Sequence, residues 1–147
     1  MRASMGSSIR SALAVVCALG MAAAAALAQT ADYKIEGDGI PKSLTGKPGN
    51  AARGKALLAK REAANCLSCH AIKDKELQPG GTRGPALDGV GAALTPAQLR
   101  LSVVDMGSLK RDALMPSFHK SGVVSGTPTL SAEEVEDLVA YLASLKK

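Results

Sequence analysis

The feature that most constrains this chain is Cys66-Leu67-Ser68-Cys69-His70, because C-x-x-C-H is the attachment pattern of a c-type haem. Two thiols one helical turn apart can each add to a vinyl group on one porphyrin edge, and the adjacent imidazole then reaches the iron as an axial ligand. A chain organised around such a motif must fold about a flat apolar plate. Other uses of the same residues were weighed. A redox dithiol needs only C-x-x-C, and Cys66, Cys69, His70 and His119 would on paper make a Cys₂His₂ zinc set. Metal fingers use two well-separated pairs, whereas His70 abuts Cys69 and only one other histidine exists. The adjacent histidine decides for haem.

The N-terminus bears on compartment. Arg2 and Arg10 precede an apolar, alanine-rich run from Ala12 to Ala26, which ends in Ala26-Leu27-Ala28 before Gln29. This is the charged region, apolar region and A-x-A site of a cleaved secretory signal, residues 1–28. The run is short and alanine-rich for a retained spanning helix. Cys17 lies inside it and is expected to leave with it. Export and haem attachment agree, since c-type haem is attached outside the bacterial cytoplasmic membrane, and both point to the periplasm. Removing Arg2 and Arg10 takes the formal charge from +5 to +3, a mild excess with nothing of a nucleic-acid footprint. No membrane span is expected after processing. Tyr33, Phe118 and Tyr141 are the only aromatic residues, and a buried porphyrin would supply the bulk that such a core lacks.

Residues 29–49 are rich in Gly, Pro, Lys and Asp and read as an extended N-terminal arm with turns, for which composition favours disorder. The haem domain then covers 50–147. Asn50 can cap a first helix running to about Ala63, with Gly54, Leu57, Leu58 and Arg61 on one face. Residues 74–91 are loop-like, and there the Pro85 carbonyl is placed to accept a hydrogen bond from the second ring nitrogen of His70. Thr95-Pro96-Ala97-Gln98 is a capping box, with Leu94 and Leu99 as its hydrophobic staple, opening a helix to about Val104 or Asp105. Ser131-Ala132-Glu133-Glu134 is a second capping box, with Leu130 and Val135 as its staple. Val135, Leu138, Val139 and Leu142 follow at helical spacing, and Tyr141, one residue off that stripe, can reach Gly54. The pattern is three main helices and no strand.

Electron-transfer haem iron needs a ligand opposite His70, and Met106, Met115 and His119 are the candidates. Met106 shares an apolar helix face with Leu99 and Val103, which suits core packing. Met115 precedes Pro116, which disfavours helix and holds the residue extended for presentation from a loop. The residues favour Met115, with His119 and an open iron as the alternatives. A thioether raises the reduction potential and closes the iron to substrates, so His/Met ligation means electron transfer.

Gly37-Asp38-Gly39-Ile40-Pro41, Ser43-Leu44-Thr45-Gly46-Lys47-Pro48-Gly49, Arg53-Gly54-Lys55, Asn65 to His70, Gly84-Pro85-Ala86-Leu87, Met115-Pro116-Ser117-Phe118 and the Ser131 to Leu142 helix occur in this order. Together they resemble the SoxX family of monohaem cytochromes c, over nearly all of the chain beyond the signal. The haem motif is common to all c-type cytochromes; the arm before it is the discriminating part. The resemblance implies an all-α, class I cytochrome c-like fold, three main helices around a covalently bound haem c, with the arm ordered against a partner. It implies the electron-transfer subunit of a SoxAX heterodimer, an L-cysteine S-thiosulfotransferase. That complex joins thiosulfate oxidatively to a cysteine of the carrier SoxYZ and passes electrons to a cytochrome c acceptor. The partner would be a SoxA-like cytochrome with one or two haems. Once processed, this chain keeps only Cys66 and Cys69, both committed to haem, so it is not catalytic alone. The alternative is a freely diffusing periplasmic monohaem carrier, and a third reading, a single-haem enzyme with an open iron, requires that Met115 not bind.

Overall fold

The computed structural model describes residues 31–60, 64–119 and 129–146; the signal segment with Cys17 lies outside them. Four α-helices occur among the described residues: α1 (Ala51–Ala59), α2 (Val90–Ala93), α3 (Pro96–Leu109) and α4 (Ala132–Ser144). There is one isolated bridge, Glu36 with Gly39, and no strand among them. The architecture is therefore all-α, with α1 and α3 both packed on α4.

Local signals set three of the helix starts. Asn50 accepts the Arg53 N–H at 3.0 Å and caps α1. Both capping boxes form in full: Thr95 with Gln98 at α3, and Ser131 with Glu134 at α4, each satisfying two otherwise orphaned N–H groups. Helix α1 ends at Ala59, with Lys60 as its C-cap, four residues short of the Ala63 expected from periodicity; residues 61–63, with Arg61, lie outside the described set. Helix α2 was not legible within the loop-like 74–91 stretch. It is a single turn held by Gly91 N–H to the Leu145 carbonyl at 2.9 Å and Lys146 Nζ to the Gly91 carbonyl at 2.6 Å.

The core runs through α4. Val135, Leu138, Val139 and Leu142 are all buried, with Leu58, Leu99, Leu101, Val104 and Leu130 against them. At about 25 cal/mol per Å² of apolar surface, each such leucine or valine contributes roughly 1.5–3 kcal/mol. Where α1 crosses α4, Gly54 is required by contact: a Cβ there would collide with the Asp137 carbonyl and stand 2.9 Å from Tyr141 Cβ. Tyr141 and Gly54 thus meet, as the sequence pattern implied.

The arm is ordered along residues 31–49, against its compositional leaning, and its order comes from its own chain. Ile40 is buried and its N–H donates to the Ala97 carbonyl at 3.0 Å. The buried Arg100 guanidinium grips the two carboxylate oxygens of Glu136 at 2.7 and 2.9 Å and donates to the Ile40 carbonyl at 2.6 Å, while Leu44 N–H donates to Glu136 at 2.9 Å. A desolvated pair is tolerable only when its remaining hydrogen-bonding capacity is filled, and arm backbone fills it here. His119, fully buried, holds the start of the arm: its Nδ1 donates to the Leu130 carbonyl at 2.8 Å and its Nε2 accepts from Ala31 N–H at 3.0 Å.

Candidate haem site

Cys66 opens a 3₁₀ turn, Cys66–Ser68, entered from Asn65 in the left-handed region at φ 46° and ψ 46°, a conformation asparagine tolerates better than other residues with a Cβ. The N–H groups of Cys69 and His70 both donate to the Cys66 carbonyl, at 3.2 and 3.0 Å. Both thiols and the imidazole therefore leave one tight turn. Burial pushes the Cys66 thiol up to about 11, with the neighbouring Cys69 adding to it; a neutral sulfur, as in a thioether, suits that position better than a thiolate.

The loop after the motif folds back on it. Gly81 N–H donates to the Leu67 carbonyl at 2.9 Å, Gly84 N–H to the Cys69 carbonyl at 2.8 Å, and Leu87 N–H to the Ala71 carbonyl at 2.9 Å. A Cβ on Gly84 would stand 2.5 Å from His70 Cε1 and 2.7 Å from Nδ1, so only glycine lets the chain lie flat against the ring. His70 Nδ1 is 2.7 Å from the Pro85 carbonyl oxygen. Since a carbonyl can only accept, Nδ1 carries the proton, and Nε2 keeps its lone pair for a metal. Gly84, read from the sequence only as part of the Gly84-Pro85-Ala86-Leu87 motif, owes its specific role to this contact with the His70 ring.

These groups line a cavity of about 550 Å³ together with Met106, Met115 and Phe118. It adjoins a recess of about 120 Å³ whose walls, Leu99, Val103, Leu138 and Leu142 among them, are almost wholly apolar. Arg83, Lys110 and Asp112 supply the charges that line the larger cavity. The chemistry of the set fits a covalently held porphyrin: two thiols on one turn, an imidazole of fixed tautomer, thioether sulfur in the same cavity, and an apolar interior.

Position removes one of the three candidates for the second ligand. Met115 and Met106 both line the two cavities. His119 lines neither and has both nitrogens engaged by backbone groups, so it assembles with neither the Cys pair nor His70. Met106, half-buried, lines the apolar recess with Leu99 and Val103, the face its spacing implied, and the larger cavity as well. Helix α3 is interrupted just before Met106: Asp105 departs from helical geometry at φ −154° and ψ 76°.

The cytochrome c family model matches residues 51–146. The structure of SoxXA from P. pantotrophus is similar at 34% identity and a TM-score of 0.73, over 78% of this chain and 95% of that chain. SorU, a c-type cytochrome from Sinorhizobium meliloti, matches at 22% identity over 65% of this chain and 90% of its own, with a TM-score of 0.46. Cytochrome c-550 from Paracoccus versutus matches at 22% identity over 67% and 99%, with a TM-score of 0.41. No curated protein matched the sequence. A chain with this family match and this attachment motif carries one covalently bound haem c. It belongs to the cytochrome c family and, within it, to the SoxX cytochromes.

Proposed function

We propose that this chain is the electron-transfer subunit of a two-subunit cytochrome that oxidatively couples thiosulfate to a carrier cysteine. It would sit in the periplasm after removal of residues 1–28, beside a SoxA-like cytochrome, serving a SoxYZ-type carrier and delivering electrons to a cytochrome c acceptor. The observation that carries the reading is the likeness to the SoxXA structure over 95% of that chain, which extends beyond the cytochrome core of residues 51–146. The Arg2, Arg10 and Ala26-Leu27-Ala28 pattern supports export.

Within this reading Cys66 and Cys69 would hold the haem by thioethers, and His70 and Met115 would ligate its iron. When bound, the haem supplies a one-electron couple. The protein's work is to set its environment. The Pro85 carbonyl fixes the His70 tautomer and ring plane through the 2.7 Å contact, which also raises the basicity of Nε2. Gly84 keeps the ring from being pushed aside. The apolar recess excludes water, and a Met115 thioether disfavours the ferric charge relative to a second imidazole, so both push the potential upward. No thiol remains for sulfur chemistry once Cys66 and Cys69 are consumed and Cys17 has left with the signal. The sulfur step therefore belongs to the partner.

The test is the native mass and subunit content of the haem protein isolated from its own periplasm at moderate salt. A stable one-to-one complex with a second cytochrome bearing a cysteine not used for haem supports the proposal. A lone monomer would make the chain a freely diffusing carrier.

A further inference from the structure

Asp105 is a buried carboxylate, 3% exposed, for which the electron-transfer scheme above has no use. It sits at the non-helical residue inside α3. Its two oxygens reach in two directions, accepting Ser108 Oγ at 2.6 Å within α3 and Ser117 Oγ at 2.8 Å on the loop that carries Met115. Pro116 has no N–H to give. Downstream of Met115, the first hydrogen bond among the described residues that holds this loop to the body is therefore the Ser117 side chain on Asp105. Backbone bonds take over only afterwards, Phe118 N–H to the Val103 carbonyl at 3.2 Å and His119 N–H to the Val104 carbonyl at 3.5 Å. Upstream the nearest one is Ala113 N–H to the Lys110 carbonyl at 3.0 Å, a turn internal to the loop.

We propose that Asp105 is a positioning residue for the axial thioether: by holding Ser117 it fixes the Met115 segment against α3, so that the sulfur stays in the cavity it shares with His70. This rests on the reading of Met115 as a ligand. The break in α3 belongs to the same device, since it occurs at the residue whose carboxylate must serve both the helix and the loop. An external ligand can take the iron only if the Met115 sulfur leaves and the loop swings out. Any contact that holds the loop in place therefore lowers the affinity for that external ligand.

The experiment is an imidazole titration of the ferric, haem-loaded protein, following loss of the red charge-transfer band that a thioether ligand confers, with denaturant unfolding run alongside. Ser117→Ala and Asp105→Ala are expected to bind imidazole about tenfold more tightly than the parent, the effect of losing one hydrogen bond to a charged acceptor. Ser117→Thr, which keeps the hydroxyl, should restore the parent value. Ser108→Ala touches the same carboxylate from the helix side and should stay within about twofold, the difference being which element is released. Equal imidazole affinity in Ser117→Ala and the parent overturns the inference, and so does an equal gain in Ser108→Ala. Should Asp105→Ala fail to mature, the two serine variants and the threonine rescue decide the matter. If the parent lacks the thioether band and Met115→Ala leaves its spectrum unchanged, the ligand assignment falls, and the inference with it, by a result distinct from the other two.

Discussion

Removing the buried Arg100–Glu136 pair probes how the arm is held. Arg100→Met leaves the Glu136 carboxylate desolvated with the Leu44 N–H but without the guanidinium that contacts both of its oxygens, and takes a donor from the Ile40 carbonyl. Breaking one side of a buried pair costs about 3–5 kcal/mol. Glu136→Leu strands the cation instead and should cost a similar amount. The double replacement removes both charges, but it leaves the Ile40 carbonyl and the Leu44 N–H without these partners. At about 1–3 kcal/mol for a buried group left unsatisfied, it should still lose about 2–4 kcal/mol rather than gain stability as a purely apolar swap can. The expected pattern is two costly single changes, a double no worse than either, and a coupling energy of at least about 3 kcal/mol. The assay is guanidinium unfolding of the haem-loaded protein for all four members of the cycle, with amide exchange at Ile40 and Leu44. Their exchange should rise in every variant. Single changes that cost under about 1 kcal/mol and add in the double would refute the claim that this pair anchors the arm.

Met115→Ala should abolish the thioether charge-transfer band and lower the reduction potential. His119→Ala should leave both intact while costing about 2–5 kcal/mol, because it opens a cavity and orphans Ala31 N–H and the Leu130 carbonyl; absorption spectra, potentiometry and unfolding separate the two. Gly54→Ala should destabilise by about 2 kcal/mol or more, since the collision with the Asp137 carbonyl exceeds the roughly 1 kcal/mol helix-propensity gain; a rise in melting temperature would refute the close crossing. Burial alone would raise the Asp137 carboxyl, but hydrogen bonds from Arg53 and the Asn50 N–H outweigh it and hold the group below its ordinary range. A depressed folded pKa contributes stability that is present above about pH 4 and lost as pH falls through the folded value. The acid limb of the unfolding free energy should therefore be shallower in Asp137→Asn than in the parent, measured from about pH 6 down to 2.

Much of the haem site could be read from the chain because its grammar is local. The C-x-x-C-H turn, the two capping boxes and the Asn50 cap depend on residues three or four positions apart, and each forms as its spacing implies. Proline at position 85 stood out for the same reason, in a loop only fifteen residues past His70. What no short stretch carries is non-local. Glu136 lies in the acid-rich first half of α4, yet it is 4% exposed because Arg100, on another helix, meets it. The interruption of α3 at Asp105 is non-local too, since that carboxylate takes the hydroxyl of Ser117 twelve residues on.

By itself, then, the sequence determined the cofactor, its attachment points, the all-α class and the start of each long helix, since these follow from short-range geometry and from the valence of a few side chains. Only the tertiary structure decided that the arm lies on its own helices, that His119 is a structural clasp and Met115 a cavity residue, and that α3 breaks at Asp105. Each of those outcomes turns on a buried polar group finding its partner many residues away, and where such a group is satisfied is a property of the packed chain and not of any stretch within it.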